Sequence, residues 1–109
     1  MIVKIPFLER FREPMLNNAK TQTARTKRYG KEGDTFEVFG VTFQINSVFK
    51  MRLREIANHW REEGCDSKQD FQSVWMDLHP RRDVILIEEF WVHVFHKIEA
   101  KKHDNSRKK

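Results

Sequence analysis

The segment NNAKTQTARTKRYGKEGDTF, residues 17–36, carries the side chains most suited to binding a negatively charged ligand. It contains five cations, with threonines among them, and no acid before Glu32. An arginine such as Arg25 can contact a phosphate or a base edge through two parallel N–H groups, and lysines attract a polyanion by charge. Tyr29 is suited to stacking on a base. The residues predicted to bind a nucleic acid or a nucleoside are Thr21, Arg25, Lys27, Arg28, Tyr29 and Lys31.

The net charge of +5 is concentrated at the C-terminal end of the 109-residue chain. Residues 97–109 hold six cations and two acids, so the rest of the chain is nearly neutral. The charge alone is therefore a weak indication of nucleic-acid binding, and residues 20–31 could instead be a strand and turn whose cations face water. We predict one domain over residues 1–98 and a disordered basic tail over residues 99–109, which favours solubility or, alternatively, loose phosphate contact.

Composition also disfavours several classes of protein and site. The single cysteine, Cys65, cannot form an internal disulfide, which fits a cytoplasmic location. The N-terminus lacks the apolar region of a signal peptide, and the longest apolar run, residues 84–87, is too short to span a membrane. His93 and His96 fall on opposite sides of a strand, so we predict no metal and no other cofactor. The oligomeric state stays open.

The elements that must position the basic segment follow from hydrophobic spacing. Apolar residues recur at helical intervals between Phe7 and Leu16, and Pro14 is expected to kink or split that helix. Asn17 and Asn18 are expected to end it, because asparagine tolerates the left-handed conformation. The next residues alternate without a strongly apolar face, which predicts an exposed or cleft-lining strand.

The remainder of the chain reads as a hairpin, two helices and a final strand. Alternation over residues 35–46 predicts a β-hairpin with one buried face. Residues 53–63 and 68–78 have helical spacing, with Gly64 ending the first helix and Ser67 capping the second. Residues 90–98 predict a central buried strand, and residues 83–89 are ambiguous. The predicted fold class is α+β, a small β-barrel or curled sheet with flanking helices.

These residues resemble the ASCH domain family, which has a PUA-like β-barrel fold. The resemblance rests on NNAKTQTAR at a helix exit, EGD before a hairpin, the segment HWREEGCDSKQDFQSVWMDLHP and the aromatic strand WVHVF. It covers residues 7–98 approximately. The family's usual glycine at the helix exit is Asn18 in this chain, and the aromatic residue that often follows Glu-Gly is Cys65.

The resemblance implies a set of site residues. One branch of the family comprises small amidohydrolases that deacetylate N4-acetylcytidine with a Lys-x-x-Thr motif and a glutamate. The matching positions are Lys20, Thr23 and Glu63. A threonine hydroxyl needs a neighbouring base, and a lysine can serve only if burial or nearby cations lower its pKa. Because Lys20 and Thr23 would point to opposite sides of a straight strand, a shared site requires a bend before Lys20.

Glu63 is expected in the last turn of the first of the two predicted helices, where a negative charge opposes the helix dipole. With acids on either side, its pKa could rise enough for acid–base catalysis. The alternative is that His59 and Arg61 balance Glu63 at the surface. Trp60 could stack on a base, but its phase with Leu53 and Ile56 predicts a core position.

Three functions follow as expectations. The first is a module that binds RNA or a modified nucleoside in a basic cleft between the segment KTQTARTKR and Glu63–Gly64. The second is a small amidohydrolase that deacylates N4-acetylcytidine with Lys20, Thr23 and Glu63. The third is a partner-binding domain without a nucleotide ligand. Residue types alone do not separate these functions, because a fold hosts several activities.

Overall fold

The computed structural model describes residues 1–98, so the predicted basic tail lies outside the described residues. Four antiparallel strands form one sheet in the order β1-β4-β3-β2. The strands are β1 (Gln22–Arg25), β2 (Thr35–Val38), β3 (Val41–Arg52) and β4 (Glu89–Lys97). The helices are α1 (Arg12–Leu16), which follows a 3-10 turn at Glu9–Phe11, α2 (Leu53–Asn58) and α3 (Lys68–Leu78).

The predicted hairpin is confirmed as β2 and β3. Val38 lies opposite Val41, and the two residues between them, Phe39 and Gly40, have φ angles of 57° and 76°. Positive φ at both positions is the geometry of the two-residue turn that matches the twist of paired strands. β3 continues to Arg52 and pairs with β4 along most of its length, with an irregularity in the register between Ile45 and Ser47.

The predicted central strand is confirmed as β4, which lies between β1 and β3. Its Phe95 ring meets the rings of Phe36 and Phe43 edge-on, at centroid distances of 5.4 and 5.5 Å. All three rings are buried. The irregular register and this aromatic packing on one face give a curled antiparallel sheet with helices beside it, which confirms the predicted α+β class.

The first helix differs from the prediction. The helical stretch begins at Glu9 rather than Phe7, and it changes from 3-10 to α geometry at Arg12, two residues before Pro14. Pro14 lies inside α1 without breaking it, because the N–H groups in the first turn of a helix have no intrahelical partner to lose. Before this stretch, the chain makes a single β-bridge between Ile2 and Thr35.

The helix before Glu63 is also shorter than predicted. α2 ends at Asn58, and residues 59–64 form a series of turns. α3 begins as predicted, since the Ser67 side chain accepts a hydrogen bond of 2.9 Å from the Asp70 N–H. The ambiguous residues 83–88 form neither helix nor strand, and residues 84–87 are about half exposed. Among the helices of residues 1–98, none is long and apolar enough to cross a bilayer.

Candidate active site

The exit from α1 turns the chain back toward the body of the protein. Asn18 has a φ of 67°, so it adopts the left-handed conformation expected where the helix ends. The N–H groups of Ala19 and Lys20 both donate to the Pro14 carbonyl at 2.8 Å. The bend that a shared site requires before Lys20 is therefore present, and it directs the Lys20 side chain into the interior, where it is 3% exposed.

The turn that carries Glu63 is joined to the start of β1. The N–H groups of Thr21 and Gln22 donate to the Glu62 carbonyl at 2.8 and 3.1 Å. Gly64 follows with a φ of 89°, and a Cβ atom at this position would lie 2.7 Å from Lys20 Cβ. Glycine is therefore required at position 64 by its backbone conformation and by the close approach of Lys20.

Lys20 and Glu63 form a buried, hydrogen-bonded pair. Lys20 Nζ donates to the backbone carbonyls of Gln22, at 2.9 Å, and Glu63, at 2.6 Å. The same nitrogen lies 3.9 Å from Glu63 Oε1. Gln22 Nε2 donates to Glu63 Oε2 at 2.8 Å, which fixes the carboxylate from the other side. The alternative in which surface charges balance Glu63 is wrong, because Glu63 is 5% exposed and His59 lies instead beside Glu62.

Burial changes the acid–base properties of both groups. Desolvation lowers the pKa of Lys20 to about 8, against the opposing effect of Glu63 and with a further lowering by Arg25. Desolvation also raises the pKa of Glu63, although Lys20 and Gln22 oppose the shift. The expected cause, a helix dipole with neighbouring acids, is wrong for Glu63, since the residue lies in a turn beyond α2.

Thr23 and Arg25, two residues apart on β1, line the same cavity as this pair. Thr23 is 4% exposed, and its Oγ1 accepts a hydrogen bond of 3.0 Å from Arg25 Nε. Arg25 donates to the Pro6 carbonyl at 2.5 Å and places its guanidinium 4.9 Å from the Phe7 ring centre and 5.6 Å from that of Tyr29. These contacts hold both β1 side chains in fixed positions at the cavity wall.

The three residues implied by the resemblance line one cavity. Its volume is about 370 Å³, and Lys20, Thr23 and Glu63 all contribute to its wall. Arg25 and Tyr29, from the group predicted to bind a nucleic acid, line it as well. Apolar rings form other parts of the wall, namely Phe7, Phe11, Phe71 and Trp75. The cavity can therefore hold a planar ligand against aromatic surfaces while polar atoms contact its edge.

The other predicted binding residues lie outside the cavity wall. Thr21 uses its backbone to pair with Glu62 and Phe95. Lys27 and Arg28 are exposed, and Lys31 pairs with Asp34 at 3.2 Å. Trp60 is half-buried against the core, as its phase with α2 predicts.

Sequence reasoning missed two polar residues of the site. Alternation along the strand does not single out Gln22, yet its amide donates to the Glu63 carboxylate. His93 is fully buried, and its Nε2 accepts a 3.0 Å hydrogen bond from the Tyr29 N–H, which fixes the backbone at one wall of the cavity. A histidine in an apolar central strand is a signal that a buried polar partner exists, although the partner itself cannot be read from spacing.

Two other chemistries have little support in the site. Cys65 lines the cavity, but burial raises its thiol pKa to about 11, so the thiolate is scarce at neutral pH. Within residues 1–98, no three His, Cys, Asp or Glu side chains cluster closely enough to hold a metal ion. Besides Cys65, the polar side chains of the cavity wall are those of Lys20, Thr23, Arg25, Thr26, Tyr29, Glu63 and His79.

Compared with sequence models of known families and with the sequences of characterised proteins, the chain gives no match. Three solved structures share its fold. The crystal structure of hypothetical protein PH0355 is 14% identical, with a TM-score of 0.67 over 90% of this chain and 100% of that chain. The ASCH domain from Lactobacillus crispatus JV V101 is 12% identical, with a TM-score of 0.61 over 88% of this chain and 79% of that chain.

The solution structure of protein PF0455 from Pyrococcus furiosus is 13% identical, with a TM-score of 0.62 over 92% of this chain and 100% of that chain. At these sequence identities the comparisons show a shared fold. Any activity has to be argued from the residues of the site. The fold of this chain is therefore that of the ASCH domain, a small PUA-like barrel, as its sequence resemblance implies.

Proposed function

We propose that this protein hydrolyses the amide bond of an N4-acylated cytosine nucleoside, with N4-acetylcytidine as the substrate that the family resemblance implies. One observation carries the proposal. Lys20 and Glu63 are 43 residues apart in the sequence. Together with Thr23 they nevertheless line one cavity, in which burial lowers the pKa of the Lys20 amine. Perturbed groups that converge in a concave site are typical of catalysis.

Lys20 is the base of the proposed reaction. A pKa of about 8 leaves roughly a tenth of the amine neutral at pH 7. A neutral amine has two N–H donors and one lone pair, and the carbonyls of Gln22 and Glu63 accept from both donors. The lone pair then has no competing partner among these contacts, so it can accept the proton of a hydroxyl group.

Thr23 is the nucleophile. Its Oγ1 accepts from Arg25, which leaves its own proton available for donation to Lys20. The oxygen attacks the amide carbonyl carbon, Lys20 takes the hydroxyl proton, and the C–N4 bond breaks as N4 gains a proton. Cytidine leaves and the acyl group stays on Thr23 as an ester, which water then hydrolyses to the carboxylic acid and free Thr23.

Glu63 and Arg25 support the charges that develop during this reaction. The Glu63 carboxyl, whose pKa burial raises, lies 3.9 Å from Lys20 Nζ and stabilises the ammonium that forms when Lys20 takes the proton of Thr23; Lys20 then gives this proton to the departing N4. Arg25 stays charged at neutral pH despite its burial, and its position beside Thr23 favours negative charge on the carbonyl oxygen. The aromatic wall provides the surface against which a pyrimidine ring can lie.

The test is release of cytidine from N4-acetylcytidine, followed by chromatography. Thr23→Val keeps the shape of the side chain but removes the hydroxyl, and we expect it to lower kcat by about 10²–10⁴-fold. Thr23→Ser restores a hydroxyl at the same position and is expected to recover most of the activity. Absence of cytidine release by the intact protein, or equal kcat in Thr23→Val, would reject the proposal.

A non-catalytic module for RNA or a modified nucleoside is the second candidate. It is favoured by the fact that Lys20 and Glu63 already have hydrogen-bond partners inside the protein, as expected of a buried structural network. Calorimetric titration with N4-acetylcytidine separates the candidates. Saturable binding that Thr23→Val leaves intact, together with no turnover, selects the binding module.

A further inference from the structure

Three cations and two aromatic rings adjoin one another beside the cavity, and we call them the cation–aromatic strip. Its residues are Lys27, Arg28, Tyr29, Lys50 and Trp91. Lys27 Nζ lies 4.8 Å from the Tyr29 ring centre. Arg28 Cζ and Lys50 Nζ lie 5.6 and 4.9 Å from the Trp91 ring centre, so cations from two separate segments meet on a single indole.

The strip is continuous with the cavity. Tyr29 belongs to both, because it lines the cavity and its ring contacts Lys27 Nζ. Across the sheet, Arg25 on β1 lies opposite Trp91 on β4, and Trp91 lies opposite Lys50 on β3. Directly opposed residues of an antiparallel sheet project to the same face. This row of three residues therefore extends from Arg25 at the cavity wall across β4 to β3.

Four other basic residues of the domain are held in ion pairs, whereas the three cations of the strip are in none of the ion pairs of residues 1–98. Arg10, Arg12, Lys31 and Arg82 each form an ion pair with an aspartate or glutamate. Among the ion pairs of residues 1–98, none includes Lys27, Arg28 or Lys50, and all three side chains are exposed. Glu89, the acid next along β4, lies opposite Arg52. The strip is thus a local positive surface on a nearly neutral domain.

We propose that the cation–aromatic strip binds a single-stranded oligonucleotide whose acylated cytosine occupies the cavity. The substrate would then be a base within a strand rather than only a free nucleoside, and this part of the inference rests on the proposed function. Phosphates replace the aromatic rings as partners of the three cations, and a neighbouring base stacks on the Trp91 face that a cation vacates. Unpaired cations alternating with aromatic rings are the features by which proteins hold single strands.

The strand contact is tested without any chemistry. A short fluorescent single-stranded RNA that lacks acyl groups is titrated with the full-length protein, and anisotropy is followed at several salt concentrations. The combined variant Lys27→Gln, Arg28→Gln, Lys50→Gln is expected to weaken binding by at least about tenfold and to reduce the slope of log affinity against log salt by about 2. Equal affinities and equal salt dependence for the intact protein and this variant would overturn the inference.

The control variant removes the same charge elsewhere. Arg54→Gln, Arg61→Gln, Lys68→Gln changes three exposed cations in and between α2 and α3, and it is expected to leave affinity within about twofold. The basic segment 99–109 is present in every protein, so its contribution is common to all. An equal loss of affinity in the control would show that net charge, not the strip, is responsible, and would also overturn the inference.

Base stacking is tested at Trp91. Trp91→Leu is expected to weaken binding about tenfold at every salt concentration, without changing the slope, while Trp91→Phe recovers much of the affinity. Polyphosphate serves as a polyanion without bases and is expected to bind more weakly than the RNA and to be insensitive to Trp91→Leu. Equal binding of polyphosphate and RNA would reject the stacking contact and with it the proposed single-strand site.

Turnover separates failure of this inference from failure of the proposed function. With the acylated cytidine inside the oligonucleotide, the Lys27, Arg28, Lys50 variant is expected to raise KM about tenfold or more, with kcat unchanged. With free N4-acetylcytidine, the same variant should match the intact protein. Strip-dependent RNA binding without hydrolysis of either substrate would reject the proposed function but support the strand contact. Hydrolysis of both substrates without strip-dependent RNA binding would support the proposed function but reject the strand contact.

Discussion

At the scale of single residues, burial separates Lys20 from the other cations of its segment. Lys20 and Lys31 both lie in the basic run of residues 20–31, but their side chains are 3% and 64% exposed. Lys31 pairs with Asp34 at the surface, whereas Lys20 donates to main-chain carbonyls in the interior. Composition predicted a basic cluster without ranking its members. The resemblance singled out Lys20, and only the fold supplies the desolvation that alters its chemistry.

The lowered pKa of Lys20 predicts the pH dependence of the proposed reaction. Only the neutral amine accepts a proton, so kcat/KM is expected to increase with pH and to level off above about pH 8. Arg25 contributes to the lowering, so Arg25→Gln is expected to shift the inflection to higher pH. Hydrolysis rates measured from about pH 6 to about pH 9.5 test both effects. A profile without an inflection in this range would contradict a role for Lys20 as the base.

At the scale of elements, the turn after α2 was the least predictable part of the site. Leu53, Ile56 and Trp60 have helical spacing, so the sequence indicated a helix continuing to Gly64. The helix ends at Asn58 because the turn that follows makes contacts elsewhere in the chain, with Glu62 bonded to β1 and Gly64 packed on Lys20. Local periodicity carries no information about these distant partners, whereas Asn18, Ser67 and the hairpin were predictable because their signals are local.

Gly64 provides a prediction about this turn. Gly64→Ala adds a methyl group at a φ of 89° and 2.7 Å from Lys20 Cβ, so we expect a loss of about 2–4 kcal/mol in the free energy of unfolding. Urea denaturation measures the change. Gly33→Ala is the matched control, because Gly33 has a φ of 93° but no atom within 4 Å of the added carbon, and its cost should stay near 1–2 kcal/mol, roughly the backbone contribution alone. Equal losses in the two variants would show that the contact with Lys20 is unimportant.

At the scale of the whole molecule, the order of the strands brings the site together. β1 is early in the sequence, but it lies at one edge of the sheet beside β4, the last strand, while the hairpin occupies the other side. The sequence predicted a curled sheet in which the last strand is central, and this part of the arrangement is confirmed. The pairing partner of β1 could not be predicted, because neither face of its sequence is strongly apolar and its register depends on contacts such as Tyr29 with His93.

The surface contains one apolar run that should govern self-association. Val84, Ile85, Leu86 and Ile87 are 48–62% exposed and lie outside any helix or strand. Exposed contiguous apolar surface promotes association. Ile85→Ser with Ile87→Ser is therefore expected to decrease light scattering by concentrated protein at high salt. Ile2→Ser is the control, since it removes an isoleucine that is 70% exposed at the opposite end of the chain's sequence, and it should leave scattering unchanged.

The carbonyl of Glu62 accepts hydrogen bonds from two successive N–H groups, those of Thr21 and Gln22. A single oxygen thereby sets the alignment of the two segments that supply the amine and the carboxyl group. Adding or removing one residue between Asn58 and Glu63 would place a different side chain in the cavity instead of Glu63, even if every strand were preserved. We therefore expect insertions and deletions to be tolerated in residues 83–88, ahead of β4, and not in the segments next to the Glu62 carbonyl.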